Sequence, residues 1–255
     1  MTTDDVVVDV SQDWVLACDV QRRFMQGLGR TSDSVDYSSR CRQVRALGGD
    51  CYEFMPLTNE RLALVVGDAS GKGVAAALMI ASVQSSLRTA ALFTGDDLAT
   101  LLKIVNLQAY ASSLADRYAT VFYGIFDRAT RTLRYVNAGH TPPIVLRRNG
   151  SINTLETGGA PVGMFPDSSY EEGVAQLDPG DVVITYTDRV IEAANQSGDE
   201  SGNSAPATMS ALMRFNLLSE NITTRALGLL SRNRRRSAPW AHHSIRSPRQ
   251  FLRPP

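Results

Sequence analysis

Only three cysteines occur in the 255 residues, Cys18, Cys41 and Cys51. They are too few and too irregularly spaced for a disulfide framework or a thiolate zinc site. Charge of one sign is lacking too: Lys+Arg and Asp+Glu balance at 26 each, so no global field draws the chain to nucleic acid or a membrane surface. No apolar run reaches membrane-span length, and the opening Met1-Thr2-Thr3-Asp4-Asp5 is acidic where a secretory leader is basic. These absences leave a cytoplasmic globular protein as the expectation. A content of 43% hydrophobic and 20% charged residues is ordinary for one.

What is present is more specific. Two glycine-bracketed runs, Gly48-Gly49-Asp50-Cys51-Tyr52-Glu53 and Gly67-Asp68-Ala69-Ser70-Gly71-Lys72-Gly73, each set a carboxylate at a sharp bend. Between them, Thr58-Asn59-Glu60 separates Phe54-Met55 from Leu62-Ala63-Leu64-Val65-Val66, a hairpin signal. Closing that hairpin brings Asp50 and Asp68 to one end of a sheet. Two acids gathered there suit a hard cation such as Mg²⁺ or Mn²⁺, which prefers oxygen donors. Either acid alone would read as an ordinary turn aspartate. The second run is not a phosphate-binding P-loop, which needs four residues before Gly-Lys and then Ser or Thr; here there are three, followed by Gly73.

Along the chain, the spacing of Val15, Cys18, Met25 and Leu28 predicts an amphipathic helix over 12–28. An Ala- and Leu-rich segment from Val74 to Phe93 predicts a buried helix, and Leu98 to Leu114 another. Strands are predicted over 119–127, 132–138, 143–148, 152–156 and 181–187, separated by Gly, Pro and Asn turns. Strands, two helices and strands again indicate an α+β layered domain. The expected organisation is a helical segment over 1–30, a domain over 31–202 and a basic tail over 203–255. In that tail Met209 to Leu230 has helix-forming composition. From about Arg232 onward it is rich in Arg, Ser and Pro, without periodicity, and is expected to be disordered.

Further segments complete a pattern: Tyr118-Ala119-Thr120-Val121-Phe122-Tyr123-Gly124, Tyr135-Val136-Asn137-Ala138-Gly139-His140-Thr141-Pro142-Pro143, Pro161-Val162-Gly163-Met164, Leu177-Asp178-Pro179-Gly180-Asp181 and Tyr186-Thr187-Asp188-Arg189-Val190-Ile191-Glu192-Ala193. In wording and order these resemble the SpoIIE/RsbU-like branch of the PP2C (PPM) metal-dependent serine/threonine protein phosphatases, over roughly 10–202. The resemblance implies a four-layer α/β/β/α sandwich with two Mn²⁺ or Mg²⁺ ions at one end of the sheets. It gives Asp68 as the bridge between the ions, Asp50 and the Ala69 carbonyl as donors to one, and Asp188 as donor to the other. Glu53 is expected either to orient a water on the metal or to be a surface carboxylate. Arg45 stands where some relatives place a phosphate-binding arginine, or it belongs with Arg40 and Arg42 to a solvated basic face. His140 is expected in a structural turn remote from the metals.

The resemblance also marks departures. Relatives close the domain with an acidic pair and a final strand of D-D-x-T type; the sequence beyond 202 shows neither, so the sandwich is expected to be incomplete at its C-terminal strand. That tail has the composition of an out-of-frame read of GC-rich coding DNA. Arg189 replaces a turn glycine. The implied activity is hydrolysis of phosphoserine on a small anti-sigma-factor antagonist protein, with a homodimer through the N-terminal helix as one assembly. The alternative is an impaired pseudophosphatase that binds a partner without turnover. Specific nucleic-acid binding by the tail is not expected, because its basic charge lacks aromatic interleaving or a folded motif.

Overall fold

The computed structural model describes residues 10–24, 35–39, 41, 47–57, 60–113, 116–188 and 226–231. In chain order these form α1 (Val10–Phe24), β1 (Val35–Ser39), β2 (Asp50–Pro56), β3 (Arg61–Ala69), α2 (Val74–Phe93), α3 (Leu98–Ser112), β4 (Ala119–Asp127), β5 (Thr132–Ala138), β6 (Ile144–Leu146), β7 (Ile152–Thr154), β8 (Gly158–Gly159), β9 (Gly173–Gln176), β10 (Val182–Tyr186) and β11 (Ala226–Ser231). The strands make two sheets. One runs β2-β3-β4-β5-β8 with β9 also on β5; the other runs β1-β11-β10-β6-β7.

Strand alternation explains how the layers stack. On β3, Leu62, Leu64 and Val66 join Phe54, Phe122, Phe126, Val145 and Val183 in a core between the two sheets. The alternate residues Ala63, Val65 and Ala69 pack with Ile80, Val83 and Leu87 of α2 and Leu101, Leu102 and Val105 of α3. A strand apolar on both faces is what a central strand requires, and each such side chain contributes about 1.5–3 kcal/mol on burial. Across the sheets, the Tyr37 ring of β1 lies 4.2 Å from that of Phe54. The second sheet's outer face is apolar as well, with Ile144 and Tyr186 buried beside Ile184 and Leu146. Helix layer, sheet and sheet are thus in place. A helical layer over that outer face does not occur among the described residues.

α2 is long and apolar enough to cross a membrane by length and composition, which corrects the expectation that no apolar run reaches that length. It serves here as a core helix, with Ala76, Ile80, Val83 and Leu87 buried against the sheet.

The expected missing C-terminal strand is corrected. Ala226–Ser231 inserts between β1 and β10, antiparallel to both, with Gly228 opposite Ser38 on one side and Ile184 on the other. Ala226 to Leu230 is therefore strand, against its helix-forming composition. An open slot between two edges supplies hydrogen bonds on both sides and overrides local propensity. The strand lies past residue 202, where the domain was expected to end. Arg189, and the tail from 232, lie outside the described residues.

Candidate metal centre

β2 and β3 form the predicted hairpin, and Asp50 stands directly opposite Asp68. The Ala69 N–H donates to the Gly49 carbonyl at 2.8 Å, which makes 49 and 69 the hydrogen-bonded pair and 50 and 68 the neighbouring non-bonded pair. In that kind of pair side chains approach most closely. Both carboxylates point into the space between the sheets, on the face of Phe54 and Val66. Asp50 is 1% exposed and Asp68 half-buried. Two carboxylates directly opposite one another at the end of a hairpin are a donor arrangement that suits a hard cation.

Backbone geometry adds a third oxygen. A Cβ at Gly49 would stand 2.8 Å from the Ala69 carbonyl oxygen and 3.2 Å from Asp68 Oδ1, so only glycine leaves that corner open. The turn that follows is pinned from outside: Ser70 N–H donates to the Tyr118 carbonyl at 2.8 Å, the Tyr118 N–H donates to Ser70 Oγ at 3.0 Å, and Arg117 donates to the Ser70 carbonyl at 3.2 Å. Two carboxylates and a carbonyl form a hard-oxygen donor set that fits Mg²⁺ or Mn²⁺.

Asp188 follows β10 at the end of the other sheet and is exposed. Among the described residues no group of three or more His, Cys, Asp or Glu side chains is close enough to hold a metal. The structure thus unites Asp50, Asp68 and Ala69 and does not bring Asp188 into their group.

Glu53 departs from both expectations. Three residues past Asp50, it lies on the opposite face of β2, toward α2. It is buried, and its carboxylate accepts from Gln84 Nε2 at 2.8 Å and from Arg88 Nε at 2.7 and 2.9 Å. It does not face the Asp50–Asp68 pair. Arg45 lies outside the described residues.

α1 reaches the same region from outside. The Gln21 amide donates to the Gly48 carbonyl at 2.6 Å and accepts from the Gly48 N–H at 3.1 Å. The Phe24 carbonyl accepts from Gln84 at 2.8 Å and Arg88 at 3.2 Å, the two side chains that hold Glu53. Nothing in the local sequence around Gln21 signalled this contact; it depends on how the helix docks.

His140 is not remote. Its Nδ1 lies 2.9 Å from Thr120 Oγ1, and Thr120 is the β4 partner of Asp68. Burial pushes the ring's pKa down to about 4, against an opposing pull from the Tyr186 carbonyl. The motif aspartate Asp181 is structural: burial raises its pKa, yet Arg147, at 2.8 Å, and the N–H groups of Asp178 and Arg148 outweigh that and hold it below the ordinary value.

A family profile described as Stage II sporulation protein E (SpoIIE) matches residues 58–232, more than half of the chain. The chain belongs to the SpoIIE family. The match runs through β11. Among curated relatives, this SpoIIE-family chain is 31% identical to Protein IcfG of Synechocystis over 59% of its own length and 28% of that protein's. It is 22% identical to phosphoserine phosphatase RsbU of Bacillus subtilis over 74% of its length and 56% of RsbU. The chain therefore spans little more than half, or less, of these relatives. The SiaA-PP2C domain of Pseudomonas aeruginosa superposes with a TM-score of 0.63 at 18% identity, covering 88% of this chain and 97% of that one. That likeness establishes the PP2C fold, and PP2C phosphatases are metal-dependent.

Proposed function

We propose that this SpoIIE-family domain is a metal-dependent protein serine/threonine phosphatase acting on phosphoserine. The observation that carries the reading is the in-register Asp50–Asp68 pair beside the Ala69 carbonyl, a hard-oxygen donor set that suits a divalent cation. Asp50, Asp68 and the Ala69 carbonyl would hold one ion, and Asp68 with Asp188 a second, Mg²⁺ or Mn²⁺ in each case. Bound there, the ions would supply an activated water and neutralise charge on the phosphoryl oxygens. The chain's part is to orient the donors: the Gly49 corner keeps Asp68 and Ala69 accessible, and the bonds from Arg117 and Tyr118 to Ser70 fix the turn. His140, buried and neutral near pH 7, is not placed to protonate a leaving alkoxide.

By analogy with the relatives, the substrate is a phosphoprotein of the anti-sigma-factor antagonist type, met in the cytoplasm. A homodimer through α1 belongs to the same proposal. It is supported by the outward exposure of Trp14, Val15, Leu16 and Val20 on that helix. A second reading, a pseudophosphatase, is favoured by one observation: Asp188 is exposed and apart from the other two aspartates. Hydrolysis of a generic phosphate ester by the purified chain, titrated with Mn²⁺, decides between them. Asp68→Asn is expected to abolish turnover and the Mn²⁺-dependent rise in melting temperature. Wild-type rates in that variant would overturn the assignment.

A further inference from the structure

β3 and β4 stay tied beyond the end of their ladder. Its last pair is Ala69 with Ala119. One step further, the Ser70 N–H donates to the Tyr118 carbonyl at 2.8 Å and the Tyr118 N–H donates to Ser70 Oγ at 3.0 Å. The same count sets Arg117 opposite Gly71. There the guanidinium lies against the glycine: Gly71 adopts φ 94°, and a Cβ on it would overlap Arg117 Nη1. Asp116, just before Arg117, adopts φ 69°, a left-handed conformation uncommon for a residue with a side chain. Glu60 and Arg131 share that conformation in the β2–β3 and β4–β5 hairpin turns. Asp116 lies in the α3–β4 connection, beside the candidate centre, where strain of this kind points to a position that matters.

Arg117 uses little of its bonding capacity on the fold. Nη1 donates to the Ser70 carbonyl at 3.2 Å, while the side chain is exposed and the rest of its planar fork of N–H donors is left over. Arg61, Arg88, Arg134 and Arg147 each rest on a carboxylate. Arg117 rests on none among the described residues, Asp116 included, and neither does Lys72, exposed in the same turn. Two unneutralised cations therefore stand beside the candidate donors. The Ser70 carbonyl that Arg117 holds is one peptide unit from the Ala69 carbonyl. Consecutive Cα atoms are about 3.8 Å apart, so a phosphoserine reaching the centre would carry its chain neighbours across the surface that Arg117 occupies.

We propose that Arg117 is a specificity-determining residue, whose guanidinium receives an acidic side chain next to the phosphoserine of the protein substrate. This rests on the phosphatase reading and narrows its substrate class to phosphoserine flanked by Asp or Glu. The fork can take a carboxylate through two parallel N–H bonds, and Lys72 adds a field of the same sign. A phosphoserine with neutral flanks has the metal centre without this contact.

The test compares two synthetic phosphoserine peptides on the full chain with Mn²⁺, identical except for Glu or Gln on both sides of the phosphoserine. An exposed ion pair is worth up to about fivefold, and the wild type is expected to favour the Glu peptide by that factor in kcat/KM, through KM. Arg117→Ala should bring the ratio to unity. Any loss of rate common to both peptides, from the released Ser70 carbonyl, cancels in that ratio. Arg117→Glu should reverse the order and favour a Lys-flanked peptide, a swap that a purely structural arginine would not produce. Arg131→Ala, an exposed arginine beyond the far end of β4, should keep the wild-type ratio. Fluorescence anisotropy of the labelled peptides on the chain in EDTA reads the same preference as binding, without turnover. A wild-type ratio near unity, or a preference that survives Arg117→Ala, would overturn the contact. A chain that binds the Glu peptide more tightly through Arg117 yet releases phosphate from neither would overturn the phosphatase reading and leave the contact standing. A chain that neither binds nor hydrolyses the peptides would overturn both.

Discussion

Gln21 of α1 holds both backbone groups of Gly48 in one side-chain amide, donating at 2.6 Å and accepting at 3.1 Å, two residues before Asp50. The N-terminal helix therefore braces the turn that presents a candidate ligand. Both partners are buried, and removing the amide leaves an N–H and a C=O unsatisfied. Gln21→Ala should cost about 1–3 kcal/mol, read from the urea midpoint of the full chain, whereas Arg22→Ala on the exposed face should be near neutral.

Gly49→Ala changes no charge and no ligand. Its methyl group would press on the Ala69 carbonyl and Asp68 Oδ1, and overpacking of this kind costs about 1–3 kcal/mol. Phosphate release is expected to fall far more than stability, because the displaced atoms are the proposed metal donors. A variant with normal turnover and a normal melting temperature would show that this corner is not tightly closed.

The Glu53–Arg88 pair predicts an asymmetry. Arg88→Ala strands a buried carboxylate with only Gln84 left to serve it. Because the Arg88 side chain is 37% exposed, water softens the loss, and about 2 kcal/mol is expected. Glu53→Gln keeps an acceptor for Gln84 and should cost less. Equal losses on thermal melting would refute the directional view of this contact.

Acid sensitivity follows from His140. Its pKa is lowered from 6.5 to about 4 by burial, so between those values the unfolded chain binds more protons than the folded one. Stability from this group is intact above pH 6.5, declines as pH falls through the window and is lost below about 4. The sum is about 3 kcal/mol. Melting temperatures from pH 7 to 4.5 should fall in the wild type, and with a shallower slope in His140→Asn.

β11 completes a sheet that would otherwise open between β1 and β10. A chain ending at residue 225 should expose two strand edges and associate, seen as oligomers by light scattering. A chain ending at 231 should not. Equal behaviour of the two would mean that the strand adds nothing to the fold.

Much of this architecture was legible in the residues. Asp50 and Asp68 fall opposite each other because glycine bends and an alternating hairpin leave little choice of register. α2 and α3 announce themselves by composition, and the structure adds the Asp97 cap on α3, which accepts from Thr100 N–H at 2.8 Å. Glu53 could have been assigned to the helix face by counting residues from Asp50, since an odd step on a strand reverses the side. His140 could not, since its neighbour Thr120 meets it only once β4 pairs with β5. β11 was hidden for the opposite reason: Ala226-Leu227-Gly228-Leu229-Leu230 lacks β-branched residues, and only its slot makes it a strand. Gln21 depended on docking alone.

The placement of β11 also bears on how the molecule comes into being. Val35 opens the first described strand, yet its partner is Ser231, which closes the last described one. Pairings that span so much sequence close slowly, after nearer contacts have formed. The hairpin of β2 and β3, with β4 and β5, is available early and can assemble on α2 and α3 alone. β1 and β10 must wait beside it as unfinished edges until the final strand arrives. Until β11 emerges, β1 and β10 are open to mispairing, and the end of β10 that leads to Asp188 is secured late.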